Sequence, residues 1–179
     1  MFIYYLAVVL SLIAIVVSLV FTFFVLWSII TLFYTRVPWA PTPKDTIDRV
    51  INELGIKPGQ KVYDLGCGDA RVLIKADKTS AETIGYELSL STYLRAKLRI
   101  WLSGAKTKIY RKNFLKVDLS DADIIFCFLV TKVMPKVAVK LKENLKHGTI
   151  VVSYAFDFPD WKPYKILDTK PSKTYFYQI

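Results

Sequence analysis

The sequence predicts an α/β domain with a mostly parallel sheet covered by helices, preceded by one membrane-spanning helix. Three observations lead to this prediction. From residue 44 onward, short apolar runs alternate with longer amphipathic segments, which is typical of parallel strands joined by helices. A glycine-rich turn follows the first of these apolar runs. Before the domain, residues 1–35 contain no charged side chain, and a helix needs roughly 20 apolar residues to cross a bilayer.

The apolar segment, residues 1–35, is expected to form a single uncleaved transmembrane helix. It is too short for two spans, and it lacks the basic start that signal peptides carry. Core helices of soluble proteins are rarely apolar on all sides over such a length. The basic residues Arg36, Lys44, Arg49 and Lys57 all follow the span. The positive-inside rule therefore predicts a single-pass membrane protein with a cytoplasmic C-terminal domain.

A proline-rich linker, residues 36–43, is expected to join the span to the domain at residues 44–179. Its prolines favour extended backbone. Thr42 directly before Pro43 predicts an N-cap, and therefore a first domain helix that runs to about Leu54.

Alternating strands and helices account for the rest of the domain, and the last two strands are expected to form an antiparallel pair. The predicted strands are Val62–Leu65, Thr83–Tyr86, Lys108–Tyr110, Asp123–Leu129, Thr149–Phe156, Tyr164–Leu167 and Thr174–Ile179. The predicted helices between them are Ala70–Lys78, Ser89–Leu102 and Val133–Leu145.

The glycine-rich turn lies between two acidic residues and predicts a nucleoside-binding site. Gly66 and Gly68 lie between Asp64 and Asp69, and glycines there let the backbone approach a ligand closely. Glu87 follows Gly66 by 21 residues. An acid about 20 residues after such a turn commonly binds a ribose. An ordinary strand–helix turn explains a Gly-x-Gly pair, but it explains neither the paired acids nor this spacing.

Two classes of cofactor fit this pattern. A dinucleotide site would have a third glycine where this chain has Arg71, and Asp64 and Asp69 would repel its pyrophosphate. Acidic side chains suit a ligand that carries positive charge, such as the amino group and sulfonium of S-adenosylmethionine. The pattern therefore favours S-adenosylmethionine over a dinucleotide.

Two motifs resemble those of a known enzyme class. The segment D-L-G-C-G-D at residues 64–69 resembles the first motif of class I S-adenosylmethionine-dependent methyltransferases, and G-Y-E at residues 85–87 resembles their second. The resemblance implies a Rossmann-like, seven-strand methyltransferase fold with a terminal antiparallel hairpin. It also implies that the whole turn, including Cys67, binds the cofactor.

The ends of later strands supply further candidate site residues, because ligands of open α/β sheets lie beyond the carboxyl ends of the strands. Asn113 is a candidate to bind the adenine amino group, and Phe114 is a candidate to stack on the ring. A turn role for Asn113 and a core role for Phe114 are the alternatives. Phe128 and Thr131, after the fourth strand, are candidates to contact the substrate.

Three further segments resemble a small family of protein-lysine methyltransferases. They are the linker V-P-W-A-P-T-P, the stretch N-F-L-K-V-D-L-S at residues 113–120 and the stretch F-D-F-P-D-W-K-P at residues 156–163. The family includes archaeal broad-specificity enzymes and membrane-anchored mitochondrial enzymes that act on the membrane-embedded c-type subunits of ATP synthase and on the adenine nucleotide translocase. The resemblance implies methylation of protein lysines at or in the membrane. It also implies that Thr42 helps to cover the cofactor, with Trp39 nearby as a candidate substrate contact. Ala70 departs from the family pattern, which usually has glycine there.

Other functions remain open at this stage. A membrane-soluble quinone or lipid, or an RNA, is an alternative methyl acceptor, and an inactive cofactor-binding module is a third hypothesis. The net charge of +10 fits attraction to an anionic membrane surface or a solvated lysine-rich surface, whereas nucleic-acid binding lacks a recognisable motif and is not expected. No side chain is compelling as a general base. With one histidine and only Cys67 and Cys127 as thiols, no metal site is expected.

Overall fold

The computed structural model describes residues 1–35 and 41–179. The chain divides into two compact units, one before and one after the boundary between residues 40 and 41. Trp39 and most of the predicted linker at residues 36–43 lie outside the described residues.

The first unit contains one long helix, α1, at Phe2–Thr35. Within it, Tyr4–Ser28 forms a stretch of 25 residues with a mean hydropathy of 3.0, which is long and apolar enough to cross a membrane. Three of its hydroxyl groups bond to the helix backbone: Ser11 donates to the Val8 carbonyl, Thr22 to the Ser18 carbonyl and Ser28 to the Phe24 carbonyl, each at 2.8 Å. The helix thus satisfies these polar groups internally, as a bilayer interior requires.

The second unit is built from four helices and a sheet of seven strands. The helices are α2 (Lys44–Leu54), α3 (Arg71–Asp77), α4 (Leu90–Ser103) and α5 (Met134–Asn144). The strands are β1 (Lys61–Leu65), β2 (Glu82–Tyr86), β3 (Lys108–Tyr110), β4 (Ile124–Cys127), β5 (Ile150–Tyr154), β6 (Lys165–Thr169) and β7 (Ser172–Gln178).

The order of strands across the sheet is β3-β2-β1-β4-β5-β7-β6. β1 to β5 pair with one another in parallel, whereas β7 runs antiparallel to both β5 and β6. This arrangement confirms the predicted mostly parallel sheet with a closing antiparallel pair. Since parallel strands require crossover connections, the helices cover both faces of the sheet.

Each face of the sheet has its own hydrophobic core. Alternation along β1 sends Val62 into the core that contains α2, α3 and α4, and Tyr63 into the core that contains α5. On β4, Ile124 and Ile125 divide in the same way. The apolar runs of the sequence are therefore strands that are buried on both sides.

The start of α2 differs from the prediction. Thr42 is not the N-cap: the helix begins at Lys44, Pro43 occupies the N-cap position, and no side chain caps the helix. The Pro43 carbonyl accepts the first helical hydrogen bond from Ile47 N at 3.1 Å. The fixed φ of proline suits the start of a helix, and the helix begins here without a capping side chain. Thr42 instead offers its carbonyl oxygen to Arg71 Nη1 at 3.1 Å.

The central strands end earlier than predicted. β4 stops at Cys127, so Phe128 and Leu129 lie beyond its pairing with β1 and β5. β5 stops at Tyr154, because Ala155 adopts φ 70 and turns the chain out of the sheet. Apolar periodicity could not reveal either end, since the residues that follow are apolar too. The early ends leave room beyond the carboxyl edge of the sheet.

We expect Gly85→Ala to destabilise the domain. A Cβ at this position would lie 2.7 Å from Leu73 Cδ1 and 2.8 Å from Cys67 Sγ, so the core would have to shift. Overpacking of this kind costs about 1–3 kcal/mol, measurable as a lower free energy of unfolding in urea. In a Cys67→Ala background the loss is expected to be smaller, because the sulfur is gone. An equal loss in both backgrounds would contradict the contact.

Candidate functional site

The candidate site lies where the order of the strands reverses. The chain proceeds from β1 outward through β2 and β3, and then returns to place β4 on the other side of β1. Connections therefore leave β1 and β4 toward opposite faces, which opens a crevice beyond their carboxyl ends. The glycine-rich turn after β1 borders this crevice.

The glycine-rich turn is fastened to the end of β2. Gly66 N and Cys67 N both donate to the Tyr86 carbonyl, at 2.9 and 3.0 Å. Gly66 and Gly68 have φ values of 79 and 56, in the left-handed region that glycine adopts without strain. The turn therefore has a defined shape before any ligand arrives.

Glu87 holds the same turn from the other side. Its Oε2 accepts from Gly68 N at 3.1 Å, and its Oε1 accepts from Ser89 N at 2.8 Å. Its own N–H donates to the Tyr110 carbonyl at 3.1 Å. The predicted ribose-binding acid is thus brought beside the glycine turn with its carboxylate oriented by two backbone groups.

Asp64 is a buried acid at the end of β1. The residue is only 6% exposed. Burial, followed by the negative charges of Glu87 and Asp69, raises the pKa of Asp64 to about 8. Within the described part of the chain, no group of acids, cysteines and histidines has an arrangement suited to a metal ion. Asp64 is therefore protonated near neutral pH in the free protein, and a positively charged ligand beside it would favour the ionised carboxylate.

Asp69 is held by two arginines. Arg71 donates Nε to Asp69 Oδ1 at 2.9 Å and Nη2 to Oδ2 at 2.7 Å, and Arg99 Nη2 lies 3.1 Å from Oδ2. Burial raises the pKa of Asp69, but the hydrogen bonds and charge of Arg71 and the charge of Arg99 outweigh it, so the net pKa is lowered. Sequence reasoning treated Arg71 only as a missing glycine and overlooked Arg99. Their role depends on a contact between α4 and the turn that no local pattern encodes.

Ala70 adopts an unusual backbone conformation between the turn and α3. It is fully buried and has φ 61, in the left-handed region that costs an L residue about 1–2 kcal/mol. This conformation explains the glycine at this position in the family that the sequence resembles. The buried methyl group offsets part of the strain, since burial of such a group contributes about 0.8 kcal/mol.

The candidate adenine-binding residues follow β3 at the same edge of the sheet. Asn113 Oδ1 accepts from Leu115 N at 3.0 Å and so caps the short helical turn Phe114–Lys116. Phe114 is half-buried against the core of the α5 face. Asn113 thus has the local role of a turn residue, and Phe114 has that of a core residue. Their contacts to adenine remain a prediction.

Aromatic side chains gather beyond β4 and β5. The Phe128 ring lies 4.8 Å from the Tyr154 ring at an angle of 71°, and 6.5 Å from the Phe156 ring at 21°. Phe128 was predicted as a candidate, whereas Tyr154 and Phe156 were not. The sequence did contain a signal for them, because aromatic residues cluster at the ends of β4 and β5, which both end at this edge. Thr131 is exposed at the start of a short helical turn.

Both cysteines are poor nucleophiles. Cys67 and Cys127 are free thiols and are buried. Burial raises the pKa of both, that of Cys127 to about 12, so the thiolate form is disfavoured. Cys67 instead packs beneath the turn against Gly85.

The sequence is similar to several lysine methyltransferases. A family model described as the ANTKMT methyltransferase domain matches residues 64–165. A protein-lysine N-methyltransferase of Saccharolobus islandicus (strain REY15A) is 34% identical over 136 residues, which are 74% of this chain and 84% of that protein. An adenine nucleotide translocase lysine N-methyltransferase of Mus musculus is 29% identical over 147 residues, covering 80% of this chain and 64% of that protein. A lysine N-methyltransferase of Rattus norvegicus, named for the C-type subunit of ATP synthase, is 30% identical over 128 residues, covering 70% of this chain and 59% of that protein. The chain thus spans less than two thirds of the length of these mouse and rat proteins.

Solved structures share the fold. An RNA methyltransferase from Salinibacter ruber, in complex with S-adenosyl-L-homocysteine, superposes with a TM-score of 0.75 at 29% identity, over 78% of this chain and 94% of that one. A methyltransferase from Thiobacillus denitrificans in the same kind of complex has a TM-score of 0.58 at 19% identity, over 73% of this chain and 54% of that one. The sheet is therefore that of the Rossmann-like methyltransferases, and S-adenosylmethionine is the cofactor that the comparisons support.

The raised pKa of Asp64 predicts a pH dependence of stability. The folded protein keeps a proton that the unfolded chain releases above the ordinary pKa of 3.8. The free energy of unfolding should therefore fall as pH rises from about 4 to about 8. Asp64→Asn is expected to flatten this fall in urea titrations across that range. Asp48→Asn, which alters an exposed partner of Lys75, is the matched control and should leave the slope in place.

Proposed function

The chain belongs to the family of ANTKMT-type methyltransferase domains, and from that premise we propose that it methylates lysine side chains of proteins at or in a membrane, with S-adenosylmethionine as methyl donor. The observation that carries this proposal is the buried acidic crevice at the end of β1. Burial and the charge of Glu87 keep Asp64 protonated near neutral pH in the free protein, and a ligand with positive charge would favour its ionised form.

The residues at this edge fit the cofactor. Gly66 and Gly68 leave the backbone of the turn open to close approach, and Glu87 is oriented toward that turn. We assign Glu87 to the ribose hydroxyls, and Asp64 to the positively charged end of the cofactor. Asn113 and Phe114 would hold adenine, and Thr42 would cover the site from the segment before α2.

Methyl transfer places modest demands on the protein. S-adenosylmethionine supplies a methyl group on a sulfonium that leaves without the help of an acid. The acceptor amine must arrive neutral, in line with the methyl group and free of water. Phe128 and Phe156 are partly exposed at the edge, and Phe128 packs on the buried Tyr154. These rings would suit the alkyl chain of lysine and exclude water from its amine. Solvent accepts the amine proton in this scheme, because no side chain of the site is a compelling base.

The proposed membrane location is supported by α1, whose length and composition are sufficient for a span. A tether of this kind would confine the domain to a thin layer beside the bilayer. Effective concentration then favours lysines within reach of the tether over those free in solution. The charges after the span favour a cytoplasmic domain.

RNA methylation is the second candidate function. The Salinibacter ruber structure is that of an RNA methyltransferase, and the net charge of +10 would suit a polyanion. The lysine proposal has the stronger support, because the sequence relatives with the matching domain carry lysine methyltransferase names.

The identity of the acceptor can be tested with a labelled methyl group. Full-length protein in membranes, given tritiated S-adenosylmethionine, is expected to label protein, and acid hydrolysis should release the label as methyl-lysine. Heat-inactivated protein is the control. Label in RNA or lipid with none in protein would contradict the lysine proposal. Cofactor binding without any label would contradict catalysis and favour an inactive binding module.

The assignment of Glu87 can be tested by cofactor affinity. Glu87→Ala is expected to weaken binding of S-adenosyl-L-homocysteine by at least about tenfold in calorimetry, because charged hydrogen bonds contribute about 1.5–3 kcal/mol. Glu82→Ala is the matched control, because Glu82 starts the same strand and pairs with exposed Lys108. Equal affinities of the two variants would place the ribose elsewhere.

A further inference from the structure

One side of α4 exposes a continuous apolar surface. Five large apolar side chains of the helix are more than two-fifths exposed, and a sixth precedes it. We call this set the α4 face; its members are Leu88 (64%), Leu90 (43%), Leu94 (56%), Leu98 (55%), Trp101 (74%) and Leu102 (69%).

The spacing of the α4 face explains why it is not part of the core. Leu90, Leu94 and Leu98 recur every four residues and therefore align along one side of the helix. Ala96 and Ile100, at 0% and 9% exposure, form the side that packs on the sheet. At about 100° per residue, Leu94 and Leu98 point nearly away from that packed side. The helix thus carries two apolar sides, and only one of them is covered by the described protein.

Basic residues border the α4 face on both sides. On the helical wheel, Lys97 lies on one flank, and Arg95 and Arg99 lie on the other. All three are exposed. Arg99 also reaches Asp69 with one nitrogen. Leucine and tryptophan in the middle with lysine and arginine at the margins is the pattern of a helix that lies in the interface of an anionic bilayer.

We propose that the α4 face inserts into the headgroup region of an anionic membrane. Charge complementarity selects this occupant over a second copy of the chain. A symmetric contact between two α4 faces would bring their basic margins together, whereas anionic headgroups neutralise those margins and acyl chains accept the leucines. A patch of this size on one exposed helix also exceeds the scattered apolar residues of ordinary surfaces.

The α4 face adjoins the candidate site. Leu88 and Leu90 flank Ser89, whose N–H donates to Glu87 Oε1 at 2.8 Å. Arg111 Nε donates to the Leu88 carbonyl at 3.4 Å, which ties this end of the face to the chain after β3. Docking at α4 would therefore hold the carboxyl edge of the sheet beside the membrane. The proposal rests on the surface of α4 and not on the methyl-transfer reaction.

Site-directed spin labelling tests the proposal on the full chain. Leu98→Cys and, as the matched control, Val139→Cys each receive a nitroxide, and the proteins are reconstituted in nanodiscs of phosphatidylcholine with or without phosphatidylglycerol. Val139 is 56% exposed on α5, on the other face of the sheet. The native cysteines are buried, and labelled parent protein measures their background.

The label at position 98 is expected to be accessible to oxygen and shielded from a water-soluble nickel reagent in anionic discs, while the label at position 139 stays open to nickel. Lys97→Gln is expected to lower the ratio of docked to undocked populations by about fivefold, as one basic charge at an anionic surface implies. Lys136→Gln on α5 should leave that ratio unchanged.

Three outcomes would overturn the proposal. The first is equal nickel accessibility at positions 98 and 139 in anionic discs. The second is shielding at position 98 that requires two copies of the chain in a disc, which would identify a self-contact. The third is shielding that requires an added membrane protein, which would identify a protein partner. Loss of methyl transfer with intact shielding would count against the proposed function alone.

Discussion

The buried carboxylate of Asp69 is the interaction on which the rest of the site depends. A buried acid is tolerated only where charged partners meet it, and Arg71 does so with two nitrogens while Arg99 adds a third contact. Arg71 also reaches the Thr42 carbonyl. One carboxylate thereby links the glycine turn, α3, α4 and the segment that leads into α2. The turn keeps its shape because elements distant in sequence are fastened to the same point.

The two aspartates that bracket the turn are treated differently by the fold. Asp69 is neutralised within the protein, and its pKa is lowered. Asp64 has Glu87 and Asp69 as charged neighbours, and its pKa is raised. The sequence presents them as an equivalent pair, yet Asp69 is an ionised structural residue and Asp64 is a protonated carboxyl near neutral pH. This division follows from where the arginines lie, because a guanidinium reaches only one of the two positions.

Local patterns were sufficient for the sheet and for the placement of Glu87 beside the glycine-rich turn. The apolar runs, the glycine turn and Glu87 are each encoded within a few residues, and their neighbours in space follow from the rules of parallel sheets. Local patterns did not reveal three other features. These are the contact of Arg99 with Asp69, the left-handed backbone of Ala70, and the packing of Tyr154 and Phe156 around Phe128. Each depends on a contact between segments that are remote along the chain. The N-cap at Thr42 was wrong for a local reason, since Pro43 occupies that position and has no side-chain acceptor to cap the helix.

The direction of α4 bears on how this protein would choose among lysines. Helices in such folds run roughly along the strands that they cover, so a helix lying flat in a bilayer lays the sheet flat as well. If α4 docks as proposed, the carboxyl edge would open sideways, at one fixed height above the acyl chains. A site held in this way would accept a lysine at one distance from the membrane and exclude lysines closer to it or farther from it. Tolerance of the sequence around a target would then coexist with strict selection by its distance from the membrane.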